Sequence, residues 1–432
     1  MSARPPLVLV AQHFGATVFD RRTSRYAPFD HEGARLLRET LEKPFYAVIS
    51  ACEDPDDRAA VTDFFEDLEA RGYFDLQGRL AGVALDVRDV PPDHLVGPLA
   101  VHQEVVAACN LTCAHCFAGE LPRRASPLTL SELDALFADL AALGSFRLGI
   151  TGGEPLLRKD LFEVLDAATA RGLHPCVTTN ALLIDDRIAR EFGRRELVWL
   201  NVSLDGATAA SNDRVRGQGV FDRVRERLVT LGRHARFTLA FTVMRHNAAE
   251  VEDCARLAAE VGAHTAVFRP LYPVGVAREH PELMPSFEDY AGALTRLSSM
   301  TALDLGEHDL RAVDPFSPTS RDAGRATAVD DLACGAGATV CSVSVSGDVN
   351  PCSFLGDDFV AGNVRARPFA TIWRASETMR RMRVPSAGQH GCRARSLAFA
   401  GDVDAPDPWV TDGAAHPEAM HPLVVLRTSP RR

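Results

Sequence analysis

Between residues 100 and 290 short apolar runs alternate with longer stretches whose apolar residues recur at helical spacing. The runs are "FRLGITGG", "HPCVTTN", "LVWLNVSLDG", "FTLAFTVM" and "TAVFRPLYP". Between them lie "LTLSELDALFADLAAL", "DLFEVLDAATARG", "DDRIAREFGR", "GVFDRVRERLVTLGR" and "AAEVEDCARLAAEVG". This repeated strand-helix order predicts a parallel sheet, open or closed into a barrel, over residues 103–290. Functional residues in such folds gather at the C-terminal ends of the strands.

The flanking segments differ. In residues 1–90, "GATVFDRRTSRYAPFD" predicts two short strands around a polar turn. "HEGARLLRETLE" and "DRAAVTDFFEDLEARGYF" predict amphipathic helices, the second capped by "EDPDD", and "LQGRL" a small wing. Hairpin, helices and wing in that order suggest a winged-helix module. "DVPPDHLVGP" predicts a linker, placed at 91–102. "EHPELMPSFEDYAGALTRL" predicts a bridging helix, and 291–329 is placed as a bridging region. Residues 330–412 are rich in Gly, Asp and Pro with short strand-like pieces, and the tail at 413–432 is expected to be poorly ordered.

A chain of 432 residues exceeds what one core supports, which agrees with several domains. A net charge of -11 argues against a general nucleic-acid or membrane-surface binder. No apolar run reaches the length of a spanning helix, and "PLVLVA" is too short for the core of a signal peptide. The expected location is therefore the cytoplasm. Ten cysteines in a reducing compartment point to metal ligands or catalysts rather than disulfides.

Seven of the ten fall in two groups: Cys109, Cys113 and Cys116, then Cys334, Cys341, Cys352 and Cys392. Cys52, Cys176 and Cys254 stand alone among apolar or helix-forming neighbours, as buried packing residues do. Structural zinc wants four ligands, usually from paired C-x2-C knuckles, and the first group offers three at a C-x3-C-x2-C spacing. His115 is wedged between two of them and makes an awkward fourth. An iron–sulfur cubane with three protein thiolates instead leaves one iron open, and an open metal site is where a substrate or cosubstrate binds.

"CNLTCAHCF" resembles the radical S-adenosylmethionine superfamily. The resemblance implies a partial (β/α)6 TIM-like barrel and a [4Fe–4S] cluster whose open iron chelates S-adenosylmethionine. Reductive cleavage then gives a 5′-deoxyadenosyl radical that abstracts hydrogen from the substrate. It also implies that Gly152, Gly153 and Glu154 of "TGGEP" hold the amino group of the cosubstrate. Ser203 and Asp205 of "VSLDG" would contact its ribose, Asn180 of "VTTN" lies at a third strand end, and Arg216 of "NDRVRG" would pair with its carboxylate. His115 would face the adenine, and Asn212 stands where the family's H-D-x-x-R-G run usually has His.

The second group resembles the SPASM and twitch extensions of radical enzymes that modify peptides, with Gly347 and Cys352 forming the G-x4-C element. Of the family's C-x2-C-x5-C-x3-C run, "SAGQHGCRAR" keeps only Cys392, and Val410 follows "DPW" where a further cysteine is usual. By the resemblance, Cys334, Cys341, Cys352 and Cys392 are the set for one complete auxiliary [4Fe–4S] cluster, and the missing cysteines are the set for the other. A structural zinc on the same four thiols is the alternative.

Acidic residues outnumber basic ones in the first module, which opposes DNA binding. The module resembles the small precursor-recognition domains of ribosomal peptide modification, which take a leader peptide as an added strand. The expected partners are thus a precursor peptide and an electron donor such as a flavodoxin or ferredoxin, with no nucleic acid and no membrane. The expected reaction is an oxidative modification such as a crosslink. The rival readings are tailoring of a small cofactor, oxidation of a residue in a folded protein as sulfatase-maturing relatives do, and a non-catalytic iron–sulfur regulator.

Overall fold

The computed structural model describes residues 4–118, 126–300, 308–310, 334–384, 391–409 and 424–428. Most of the expected 291–329 bridge and of the tail lies outside these residues.

The N-terminal module opens with a strand absent from the sequence-based expectation, β1 (Leu7–Gln12), followed by β2 (Gly15–Asp20) and β3 (Arg25–Phe29). Helix α1 (His31–Glu39) follows, N-capped by Asp30, whose carboxylate accepts from Gly33 N. After α2 (Phe45–Ser50), helix α3 (Pro55–Ala70) starts with Pro in its first turn and Asp54 as its cap. The expected wing is a turn closed by a Phe74–Leu80 bridge, and β4 (Gly82–Ala84) returns parallel to β1. The sheet order is β3-β2-β1-β4, with β3 at one edge.

That sheet is covered on both faces. Leu7, Leu9, Ala16 and Val18 pack on Ala34, Leu37 and Leu68 of the helices. Val8, Val10, Phe19 and Tyr26 join the barrel core. Tyr26 Oη donates to Gly144 O at 2.8 Å and accepts from Phe146 N at 2.7 Å, and Arg147 Nε donates to Ser24 O at 2.5 Å. The segment expected to be a loose linker is also fixed: Val96 is buried, and Leu95 O accepts from Trp373 Nε1 at 2.8 Å. Apolar side chains at 95, 96 and 99 draw it into the core.

The barrel uses β5 (Ala100–Glu104), β6 (Arg147–Thr151), β7 (His174–Thr179), β8 (Trp199–Ser203), β9 (Thr238–Val243) and β10 (Thr265–Pro270), all parallel in that order. Helices α4 (Leu130–Ala142), α5 (Leu161–Ala170), α6 (Asp186–Gly193), α7 (Ala209–Arg216), α8 (Val220–Leu231), α9 (Val251–Glu260) and α10 (Phe287–Ser299) accompany them. A reciprocal Thr129–Glu132 capping box starts α4. Leu148, Ile150, Val177, Val202 and Phe241 of the strands meet Leu133, Phe137, Val164, Val224 and Leu228 of the helices.

The sheet stays open. Backbone strands β11 (His308–Leu310) and β15 (Val424–Thr428) extend it antiparallel beyond β10, so part of the expected unordered tail is a strand. On the other edge β12 (Val340–Val343) pairs parallel with β5, then β13 (Asp348–Asn350) and β14 (Gly362–Asn363) follow. Helices α11 (Phe369–Ala375), α12 (Glu377–Arg383) and α13 (Arg393–Ala400) complete this segment. No helix among the described residues is long and apolar enough to cross a membrane.

Candidate functional site

The three-cysteine loop leaves the C-terminal end of β5 and runs against the loop after β6. Gly153 N donates to Val106 O at 2.7 Å and Glu154 N to Ala108 O at 2.8 Å. A Cβ on Gly152, whose φ is +145°, would lie 2.3 Å from Val106 O, and one on Gly153 2.2 Å from Ala108 O. The expectation was that these glycines admit a ligand; what they first admit is the chain's own cysteine loop. Ala114 N donates to Val215 O at 2.9 Å and Val276 N to Cys116 O at 2.9 Å. Gly275, which the sequence reading missed, closes this side: its Cβ would meet Cys116 O at 2.4 Å.

Glu154 is buried. It accepts from Thr179 Oγ1 at 2.6 Å, Asn180 N at 2.8 Å and Leu156 N at 3.1 Å. Burial nevertheless leaves its carboxyl above the ordinary value. Asn180 Nδ2 donates to Asn110 Oδ1 at 2.7 Å and approaches Cys109 Sγ at 3.8 Å, so it steadies the first cysteine. Ser203 ends β8 half-buried.

Asp205 departs most from expectation. It is 0% exposed, and its carboxylate is engaged by this chain rather than open to a ribose. Oδ2 receives Arg216 Nε at 2.5 Å and His115 Nε2 at 2.8 Å, and Oδ1 receives Thr242 N at 2.7 Å. Burial pushes its pKa up, but Arg216 and His115 overcome this and hold it well below the carboxylate range. Asn212 Oδ1 accepts from Asp205 N at 3.0 Å, and Asn247 Nδ2 donates to Asp205 O at 2.9 Å. Asp205 thus braces the cysteine loop, through His115, against β8 and α7. Arg216, expected on the cosubstrate carboxylate, gives its Nε to this brace. His115 Nδ1 remains buried without a hydrogen-bond partner.

Cys109 is exposed, whereas burial pushes the Cys113 thiol up to about 11. Cys116 and Cys109 also raise it, so the three thiols lie within electrostatic reach of one another, with Cys109 on the exposed side.

The second group occupies the segment beside β5. Cys341 lies on β12, Cys352 follows β13, and Cys392 precedes α13. Burial raises the Cys341, Cys352 and Cys392 thiols; Cys352 raises Cys341, Cys334 and Cys392 raise Cys352, and Cys334 raises Cys392. Cys334, Cys352 and Cys392 therefore lie within mutual electrostatic reach, packed with Ala336, Leu355, Met382 and Val403, whereas Cys341 sits in the barrel core and reaches the group through Cys352. Among the described residues no three His, Cys, Asp or Glu side chains close on a single-ion site. Gly347 takes φ +91° in the turn between β12 and β13. Asp407, also missed from sequence, positions Cys392: its Oδ2 accepts from Cys392 N at 2.7 Å while both its oxygens receive Arg395 at 2.7 and 2.6 Å. Phe117, next to Cys116, meets the Phe354 ring at 5.7 Å, and Tyr272 meets Phe354 at 4.8 Å, so an aromatic bridge joins the two cysteine groups. Cys176 and Cys254 are buried, as their apolar neighbours in the sequence suggest, whereas Cys52 is only part-buried.

An open parallel barrel with three thiols at the C-terminal ends of its strands, and a cysteine-lined extension beside its first strand, defines a class. Residues 104–258 match the Radical SAM superfamily, and residues 334–394 match the SPASM iron–sulfur cluster-binding domain. Mycofactocin maturase MftC of Mycolicibacterium smegmatis is 32% identical over 75% of this chain and 85% of its own. The AdoMet-dependent heme synthase of Methanosarcina barkeri is 29% identical over 72% of this chain and 96% of its own. The fold is shared with Streptococcus suis SuiB in complex with its precursor peptide SuiA, at TM-score 0.67 and 15% identity over 93% and 98% of the two chains. The chain belongs to the radical SAM superfamily, in the group that carries a SPASM extension. Its cofactors are accordingly S-adenosylmethionine, a [4Fe–4S] cluster and an auxiliary iron–sulfur centre.

Proposed function

We propose that this chain is a peptide maturase that installs an oxidative modification, such as a crosslink, in a ribosomally made precursor. The observation that carries this reading is the N-terminal module: a small sheet with an edge strand, β3, fixed to the barrel. An edge strand of this kind takes an extended peptide by main-chain hydrogen bonds. Holding the leader there raises the concentration of the attached core at the barrel mouth. The relatives named maturases agree with it.

When bound, the cluster and S-adenosylmethionine supply a 5′-deoxyadenosyl radical that removes a hydrogen atom from the substrate. In our reading Cys109, Cys113 and Cys116 hold that cluster. Gly152, Gly153 and Glu154 shape the floor beneath the cosubstrate amino group, with Asn180 and Ser203 at its side. Asp205 and Arg216 keep His115 in place, and His115 Nδ1 offers a polar contact to the adenine. In the same reading Cys334, Cys341, Cys352 and Cys392 would hold one auxiliary cluster, a redox group able to accept an electron. A flavodoxin or ferredoxin in the reducing cytoplasm is the fitting electron source.

The heme synthase relatives favour a second reading, tailoring of a small molecule. Anaerobic reaction with any short cysteine- or aromatic-rich peptide found encoded beside the gene, followed by mass spectrometry, separates the two. Loss of two hydrogens from that peptide is expected. An unchanged peptide, together with turnover of a porphyrin, would favour the second.

A further inference from the structure

Strand register sorts the barrel residues onto two faces. Val101, Leu148, Ile150, Val177 and Val202 turn to the helices and lie buried in the core. The residues between them turn to the hollow side of the sheet. There His102, Gly149, Thr151, Thr178 and Ser203 are all part-exposed, so the hollow side is an accessible cleft with largely polar walls.

His102 lies two residues before the end of β5, with Gly149 of β6 on one side and Ser342 of β12 on the other. A Cβ on Gly149 would fall 2.9 Å from His102 Cδ2, so the ring occupies the room that the missing side chain leaves. Its Nδ1 is 3.1 Å from Ser353 Oγ, and Ser353 Oγ is 2.5 Å from Ser342 Oγ. Both serines are buried. Ser353 follows Cys352, so the imidazole is held against the loop that carries an auxiliary thiol. Other ionisable groups on this side of the sheet are placed differently. Glu104 and Cys176 are each 2% exposed, and Asp348 accepts from Asn363 Nδ2 at 2.9 Å. Arg147 and His174 sit at the far ends of their strands against Ser24. Arg269 of β10 carries a guanidinium, which can only donate. An imidazole both takes and releases a proton near neutral pH.

An oxidative crosslink removes two hydrogens from the peptide. The first leaves as an atom from a C–H bond. The second belongs to the X–H group of the joining side chain: its X–H bond breaks, the C–X bond forms, and one electron and one proton depart. The auxiliary iron–sulfur centre is the one-electron acceptor in this balance. We propose that His102 is the catalytic base that takes the proton, with Ser353 and Ser342 as positioning residues that fix its ring. This rests on the oxidative maturase reading above. It places the proton acceptor on the strand next to the auxiliary segment, one hydrogen bond from the residue after Cys352.

The test uses full-length, anaerobically reconstituted protein with S-adenosylmethionine and the short peptide found encoded beside the gene. His102→Asn should still form 5′-deoxyadenosine, while oxidised peptide per 5′-deoxyadenosine falls about a hundredfold. An organic radical on the peptide should accumulate in frozen samples read by electron paramagnetic resonance. Iron per chain and S-adenosylmethionine affinity should match the native protein. Ser353→Ala should lose about tenfold in the same ratio, and Ser353→Thr should restore it. Imidazole added to His102→Gly should recover oxidised peptide, more so as pH rises and its free base forms. An unchanged ratio in His102→Asn would overturn the base and leave the maturase reading standing. Loss of iron in both His102→Asn and Ser353→Ala would make the His–Ser chain structural and overturn it too. Native protein that leaves the peptide unoxidised would overturn both the base and the maturase reading.

Discussion

Replacing Asp205 by Asn keeps the side chain's shape and removes its charge. In the native chain that charge faces Arg216 Nε at 2.5 Å and His115 Nε2 at 2.8 Å with no solvent exposure. The variant leaves a buried guanidinium without its counterion, and breaking such a pair costs about 3–5 kcal/mol. Removing both charges in Asp205→Asn with Arg216→Met should regain most of that loss, because apolar replacement of a whole buried pair is often near neutral. Urea denaturation of anaerobically reconstituted protein, read by tryptophan fluorescence, measures both. Asp205 has a folded-state pKa below its unfolded one. Its stabilisation is therefore complete above the carboxylate range and is lost as pH falls through the folded value. The carboxylate's share of the gap between native and variant protein should be complete above the carboxylate range and shrink below about pH 4. An unchanged denaturation midpoint with S-adenosylmethionine affinity lost would refute the brace and return Asp205 to the ribose.

Gly153→Ala should displace the cysteine loop, since its Cβ would fall 2.2 Å from Ala108 O; iron per chain should drop by about half, one cubane of two, with the auxiliary centre kept. The reconstituted native chain should hold about eight irons and the Cys109/Cys113/Cys116 triple alanine variant about four; full retention in the variant would sink the assignment. Asp407→Ala should free Cys392 and Arg395 and deplete the auxiliary iron selectively, seen by electron paramagnetic resonance. Tyr26→Phe removes two buried hydrogen bonds between module and barrel, at about 1–3 kcal/mol; limited proteolysis between residues 80 and 100 should quicken.

The barrel was legible because its periods are clean: five of its six strands and most of its helices follow directly from alternating apolar runs. β1 escaped because "LVLVAQ" is a continuous apolar run that periodicity does not assign. Helix α7 escaped because its polar face hides it; the "NDRVRG" stretch reads as a motif before it reads as a helix. The first cysteine group stood out by its spacing, and the second by its resemblance to the SPASM extension. The Asp205 brace was not, since its partners lie 90 residues upstream and 11 downstream, and no local pattern says which charge a buried carboxylate will find. Asp407 shares that problem, although its place just before Trp409 was a signal.

The N-terminal sheet docks beside the starts of β6 and β7, whereas the three cysteines sit beyond strand ends on the opposite face. Those strands have five and six residues, so at about 3.3 Å each the two faces stand roughly 17–20 Å apart. A peptide held at one face and altered at the other needs at least about six extended residues between the two points. Because the module is locked to the barrel, that interval cannot stretch. If the leader docks on β3 as proposed, the protein is a fixed calliper: it would choose its target by counting from the docked leader, and shortening the peptide's spacer would move the modification along the sequence before abolishing it.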